Sequence, residues 1–563
     1  MPMEATLSKI ISELFNLTVD VKVSRPDPEF GDYATNVALQ IAKSVEKNPR
    51  ETAELIAEAL RQTGDYSEVT IAGPGFINLR VAARALAEKI ATDWSDTYGH
   101  NQDGAGKTVV VEYPSPNMAK PYSVGHLRPG NQGWAMKQLM EATGWKVITD
   151  NHLGDYGAPL GIWITGFLTL SSDEALEKDG VYELGRVYIA MKKLLKEEKE
   201  AGGSALADQV QDWLLKFEAG DSEAVSYSNR FNTISLDHIH RVMDRLKIST
   251  EFELGEAFFA PRGKEAVQKL LESGVAVKND DGSIIVPLDD AGFDVPLLVQ
   301  KSNGAALYAT SDLATILYRE EEWKPNRVIY AVGAEQQFYF SQLFAMAKKL
   351  GISTELIHVW FGTIDQVNED GSREKMSSRK GVILMEELLD DAEAKARQVV
   401  EGREVSEEDI KKIALGAIKF NDFISDRRTN ILFSWDTIFA LSGFSGPYIQ
   451  YAAVRVNTIL AEHGNGESII EGYDYEQEKA VIAKLLEYPS VVAASAQSLE
   501  PHRIATYLYE LARDLNRYYE STQVATSEVG EQEKRARLGL LDKVSKVFTS
   551  GLDLLGIEVP TRM

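Results

Sequence analysis

The sequence contains no cysteine in 563 residues, and that single absence removes disulfides, thiolate-ligated zinc and a thiol nucleophile together. It also lacks any apolar run of the ~20 residues that a membrane-spanning helix needs. The opening MPMEATLSKIISELFNL is amphipathic and carries acids, without the apolar core or cleavage site of a secretory signal. Internal repeats, low-complexity tracts and proline-rich linkers are missing as well. A cytoplasmic chain without membrane association is expected. Positive charge is in deficit: 60 Lys and Arg face 85 Asp and Glu, for a formal net charge of −25. Non-specific attachment to long nucleic acid depends on phosphate neutralisation, so no DNA partner is expected. Local basic surfaces remain compatible with that balance.

What is present is ordinary for a globular protein, with 44% hydrophobic and 26% charged residues. At roughly 150 residues per domain the length implies three or four domains. Residues 1–102 read as a small α+β domain: an opening helix, helices over 35–49 and 50–62, then two strands in SEVTIAGPGFINLRV about the turn Gly73-Pro74-Gly75. Residues 103–404 alternate strand and helix. Strands are predicted over 108–113, 145–151, 327–332 and 355–364, with helices from His126, over FYFSQLFAMAKKLG and over MEELLDDAEAKARQVVEG. The pattern predicts an α/β, Rossmann-like, doubly wound parallel sheet. An insertion at about 165–300 interrupts it with mixed-charge helix and a hairpin at AVKNDDGSIIVPL. Over 405–563 the strands cease, and successive amphipathic patterns predict an all-α bundle.

Two loops stand out because ligands of an open parallel sheet bind beyond the carboxyl ends of its strands, where helix N-termini favour anions. The first, SPNMAKPYSVGHLRPG (115–130), brings Lys120, Ser123, Gly125 and His126 to a helix start. A glycine there admits a base or ribose, and the imidazole can donate to a phosphate oxygen. The second, KMSSRKG (375–381), gathers Lys375, Arg379 and Lys380 with Ser377, Ser378 and Gly381, a composition suited to closing over a triphosphate.

Ser123-Val124-Gly125-His126 resembles the first signature of class I aminoacyl-tRNA synthetases, and Lys375-Met376-Ser377-Ser378-Arg379 resembles the second. VEYPSPNMAKPYSVGHL, DNHLGDYG, GAALYATSDLA, SGPYIQYAAVR, GPGFINLRV and the ending LLGIEVPTRM are similar, in family order, to segments of arginyl-tRNA synthetases. That family implies arginine–tRNA ligation: ATP-dependent activation of L-arginine to an adenylate, with Mg²⁺ accompanying ATP, then transfer to tRNA(Arg). It further implies that activation can depend on tRNA, so an assay is run with tRNA present. A monomer is expected. The sequence departs from the family at Ser123, where the class usually has histidine, at Pro129-Gly130, and at Tyr339, where many relatives carry histidine.

By this resemblance, Lys120, Ser123, His126 and Lys375 act on the phosphates. Gly125, His126, Gly133, Lys375, Met376, Ser377, Ser378 and Arg379 contact ATP. Glu112, Asn117, Tyr308, Asp312, Gln336 and Glu256 form the arginine pocket, carboxylates being the natural acceptors for a guanidinium fork. Tyr308 and Asp312, four apart, share a helix face. Phe76, Asn78, Tyr448, Tyr451 and Arg455 meet tRNA, through stacking and edge contacts to unpaired bases. Most of the bundle aromatics Tyr448, Tyr451, Tyr507, Tyr509, Tyr518 and Tyr519 are expected to be packing. Two rival readings remain: another class I synthetase, of which the cysteine-specific type needs thiolate-bound zinc, and a catalytically silent tRNA-binding or regulatory relative.

Overall fold

The computed structural model describes residues 3–24, 26–27, 29–95, 97–156, 159–304, 307–367, 373–376, 383–467 and 469–563. Two compact units are formed, one from Met1–Tyr98, Arg455–Ser490 and Tyr507–Phe548, the other from Gly99–Val454, Val491–Thr506 and Thr549–Met563.

In the first unit a three-stranded antiparallel sheet places Phe76–Val81 between Tyr33–Thr35 and Tyr66–Ala72. The turn before Phe76 requires glycine: Gly75 sits at φ +147°, and a Cβ there would stand 2.9 Å from the Pro49 carbonyl oxygen. Ile77 and Leu79 face a core with Leu7, Ile11, Val37, Ile56 and Leu60. The helix expected over 35–49 is confined to Val37–Ile41. Asn48 caps the next helix, Pro49–Thr63, through Arg50 N, and a residue before proline leaves the α region. Glu46, at φ +54°, has also left the helical region, so the longer helix cannot run through to 49.

The second unit is built on a parallel sheet in the order Glu355–His358, Arg327–Tyr330, Thr108–Glu112, Lys146–Asp150. Val109, Val110 and Val111 are fully buried, as strands covered on both faces should be. From the two central strands the chain winds outward in opposite directions, through the helices Leu127–Ala142 and Gln337–Lys349. The crevice therefore opens at the carboxyl ends of Glu112 and Tyr330. The insertion supplies the helices Pro159–Leu170, Val181–Glu200, Ala205–Glu218 and Ser222–Arg245, and the expected hairpin pairs Val277–Lys278 with Ile284–Val286.

Two strand expectations are corrected. The single strand over 355–364 ends at His358, and the chain resumes as Ile364–Val367 in a separate sheet with Arg373–Lys375 and Ile431–Leu432. Gly362 sits at the break. A Cβ there would stand 2.6 Å from Asn430 Oδ1 and 2.8 Å from Asn430 N. Strands also do not cease at 405, since Ile431–Leu432 pairs in parallel with Ile364 and Asp365. The long helices beyond are Glu407–Asp422, Gly446–His463, Lys479–Ser498, His502–Ser521 and Glu531–Leu554. Among the described residues no helix is long and apolar enough to cross a membrane.

Candidate active site

A cavity of about 710 Å³ opens at the crevice. Its walls include Gly125, His126 and Met376, and also all six residues expected around arginine: Glu112, Asn117, Glu256, Tyr308, Asp312 and Gln336.

The first loop reaches this wall through a strained backbone. Ser115 and Ala119 adopt φ +52° and +51°, a left-handed conformation costing a non-glycine residue ~1–2 kcal/mol. Fully buried Asn151 holds the first turn, accepting from Ser115 N at 3.1 Å and donating to Glu253 at 3.1 Å. Asn117 then lies against Gly154, where a Cβ would stand 2.6 Å from Asn117 Oδ1. Met118 N and Gly154 N close a backbone bridge around it.

Ser123 N donates to His126 Nδ1 at 3.1 Å. A backbone N–H can only donate, so Nδ1 is the acceptor and Nε2 carries the proton. Burial, helped by Lys120, lowers the imidazole pKa to about 4 against the opposing Ser123 hydrogen bond. His126 is a neutral N–H donor at neutral pH. The Ser123 hydroxyl lies 3.3 Å from the same Nδ1, turned to His126, and Ser123 is not among the cavity-lining residues. Gly125 is exposed, and a Cβ there would meet only Ser123 Oγ, at 3.4 Å. Lys120 also lies off the wall, its Nζ 5.2 Å from the Tyr188 ring centroid. Gly133 does not reach the cavity: a Cβ there would overlap the Tyr113 ring, so this glycine lets helix Leu127–Ala142 pack on the strand.

At the carboxylate wall, Tyr308 and Asp312 open the helix Tyr308–Glu322, and Tyr308 is 72% exposed. Burial raises the pKa of Asp312, opposed by His152 and by the hydroxyl that Tyr339 donates to its Oδ2. Burial likewise pushes Glu256 up to about 7; His152 opposes this, and Asp312 and Asp155 add to it. His152 and Tyr339 line the cavity too, and neither was assigned a role from sequence. The unassigned Arg319, 1% exposed, sets Nη2 at 2.7 Å from both Glu112 Oε2 and Asp150 Oδ2. Burial works against its charge, but the two carboxylates outweigh that and raise its pKa. It thereby fixes one oxygen of Glu112.

For the second loop, Met376 is buried, lines the cavity and donates its N–H to Ile364 O at 2.9 Å. Lys375 pairs with Asp365 in the sheet. Its side chain, and all of Ser377, Ser378, Arg379 and Lys380, lie outside the described residues. Beyond the loop, Leu384 bridges Ser123, Val124 N donates to Ile383 O at 3.1 Å and Met385 N to Tyr122 O at 3.0 Å. Both flanks of the second loop thus meet the site formed by the first.

The residues expected at tRNA lie in separate places. Phe76 is 42% exposed beside half-buried Asn78. Tyr448 and Tyr451 share the helix Gly446–His463, half-buried and exposed respectively. Exposed Arg455 sets its guanidinium 4.3 Å from the Tyr519 ring centroid. Tyr507 and Tyr518 are buried as core, in line with the packing expectation.

This parallel sheet, with the first loop and the described flanks of the second at the crevice, matches the architecture of class I aminoacyl-tRNA synthetases, and the family model for "tRNA synthetases class I (R), catalytic domain" matches residues 92–435. A "DALR anticodon binding domain" matches 449–563 and an "Arginyl tRNA synthetase N terminal domain" matches 2–81. The chain belongs to the arginyl-tRNA synthetase family. It is 34% identical to an arginine–tRNA ligase of Stutzerimonas stutzeri over 95% of this chain and 94% of that protein. With the Lactobacillus delbrueckii enzyme it is 33% identical over 97% and 96%. The fold is shared with arginyl-tRNA synthetases of Thermus thermophilus (TM-score 0.79, 23% identity, 100% and 99% covered) and Plasmodium falciparum (0.75, 22%, 100% and 98%).

Proposed function

We propose that this chain is an arginine–tRNA ligase that forms arginyl-adenylate from L-arginine and ATP and passes the arginyl group to tRNA(Arg). An oxygen of the arginine carboxylate attacks the α-phosphorus in line, the bond to the pyrophosphate oxygen breaks, and pyrophosphate leaves. A hydroxyl of the terminal adenosine of tRNA then attacks the arginyl carbonyl and releases AMP. The protein's task is alignment and charge compensation. His126 donates its Nε2–H to an α-phosphate oxygen without holding a charge of its own. Lys120, Lys375 and Arg379 supply the cationic part, and Mg²⁺ enters with the triphosphate. Gly125 and Met376 accommodate the nucleotide.

Asp312 and Glu256 take the guanidinium, with Tyr308 and Gln336 beside them. Glu112, its other oxygen held by Arg319, takes the α-amino group together with Asn117. The residues 1–102 and 405–563 serve tRNA, through Phe76 and Asn78 in the former and Tyr448, Tyr451 and Arg455 in the latter. The chain works as a cytoplasmic monomer.

The observation that carries this reading is the presence of two half-buried carboxylates, Asp312 and Glu256, in the same cavity as the neutral His126 donor. Amino-acid-dependent pyrophosphate exchange, run with tRNA across the standard amino acids, tests it. Arginine alone is expected to support exchange. Exchange with another amino acid, or none with arginine, overturns it.

A further inference from the structure

The loop that carries Lys120 and His126 is held from outside. Ala119 N donates to Ser235 Oγ at 2.8 Å, and Tyr122 N donates to His238 Nε2 at 3.0 Å. Ser235 and His238 lie three apart on the insertion helix Ser222–Arg245 and hence on one face, matching two amides that are also three apart. They are 0% and 1% exposed. The Ser235 hydroxyl donates to Phe231 O at 2.6 Å, leaving its lone pairs for Ala119. Because Nε2 of His238 accepts, its proton sits on Nδ1, 3.7 Å from Glu386 Oε2. Burial lowers the pKa of this imidazole, against Glu386 and together with Arg241, which preserves the accepting form. Glu386 also accepts the Tyr182 hydroxyl, and it stands on the helix Met385–Val399 that follows the second loop.

Tyr122 connects these bonds to the chemistry. Its ring centroid lies 4.7 Å from that of His126, and its carbonyl accepts from Met385 N at 3.0 Å. Displacing Tyr122 therefore moves the imidazole and the root of the second loop together. Neither Ser235 nor His238 lines the cavity.

Resting on the reading that this cavity activates arginine, we infer that Ser235 and His238 are positioning residues: they hang the Lys120–His126 segment from the insertion and hold it in line with the α-phosphate. Loss of either falls on turnover, because the guanidinium is gripped by Asp312 and Glu256 on other elements.

The test is arginine-dependent pyrophosphate exchange with tRNA present, on the full chain and its Ser235→Ala, His238→Leu and His238→Gln variants, with thermal melts and arginine calorimetry alongside. Gln offers an amide oxygen to Tyr122 N; Leu offers nothing. His238→Leu is expected to lower kcat about tenfold or more, with arginine Kd within about twofold. His238→Gln recovers most of the rate, and Ser235→Ala shows a smaller loss of the same kind. The inference is overturned if folded His238→Leu turns over like the parent, or if His238→Gln is as slow as His238→Leu. Should His238→Leu fail to fold, Ser235→Ala decides: a parental kcat there overturns the inference. A parent without arginine-dependent exchange sinks the functional reading instead, which keeps the two failures apart.

Discussion

The phenol of Tyr339 donates its proton to Oδ2 of Asp312, so the carboxylate at the centre of the acidic wall is aimed by a neighbour on another helix. A hydrogen bond to a charged group contributes ~1.5–3 kcal/mol. Tyr339→Phe is therefore expected to raise the arginine KM about tenfold or more while kcat changes little. Steady-state pyrophosphate exchange with varied arginine measures this split.

Glu256 gives arginine binding a pH dependence. Its carboxyl, ordinarily titrating near 4.5, is raised to about 7 in the folded protein. With the folded value raised, its contribution to stability is complete below pH ~4.5 and is lost as pH rises through about 7. A cationic guanidinium requires the carboxylate, so binding below pH 7 expels a proton. Arginine KM is expected to rise toward tenfold per unit of acidification below 7, and calorimetry in buffers of different ionisation enthalpy should count close to one proton released at pH 6. Glu256→Gln flattens both profiles.

His126 behaves in the opposite sense. Its pKa is lowered to about 4 by burial, so the imidazole stays neutral through the working range and gains charge only in strong acid. Nitrogen-resolved NMR of the labelled side chain is expected to show the Nε2–H tautomer unchanged from pH 5 to 8. His126→Ala, which removes that donor, is expected to lower kcat ~100–1,000-fold with little change in arginine Kd.

Arg319 neutralises two carboxylates at adjacent strand ends. Removing one member of a buried network leaves uncompensated charge, at a cost of ~3–5 kcal/mol. Urea denaturation of Arg319→Met should show a loss of that order, and Glu112→Gln in the same background should recover part of it.

Gly133 separates a packing role from a nucleotide role. Gly133→Ala forces a methyl into the Tyr113 ring, and overpacking of this kind costs ~1–3 kcal/mol. A lowered Tm with an unchanged ATP KM is expected.

Much of this was legible in the chain itself. Val109 to Val111 announced a strand covered on both faces, and the spacing of Tyr308 and Asp312 set them on one helical turn. What stayed hidden depended on partners distant in sequence. The break at Gly362 is imposed by Asn430, and the two-residue strand Ile431–Leu432 exists only because Ile364 and Asp365 lie beside it. Periodicity carries no sign of either. Gly133 resembled a site glycine because spacing does not tell which side of a helix faces a ligand and which faces a strand. Arg319 sat in a run of mixed charge, RE followed by EE, indistinguishable from a solvated face until Glu112 and Asp150 were placed against it.

The passage of Gly362 beside Asn430 bears on how the enzyme can be divided. Arg128, at the helix start behind His126, donates to Gly362 O at 2.8 Å and Thr429 O at 3.0 Å and pairs with Asp422 at 2.8 Å, while Asn430 itself lines the cavity. A fragment cut at 404, where helical periodicity alone would suggest a seam, would strip Arg128 of its carboxylate and remove a piece of the cavity wall. Cleaving the chain just past residue 435 spares those contacts, so any catalytic fragment has to carry at least the thirty or so residues that follow 404.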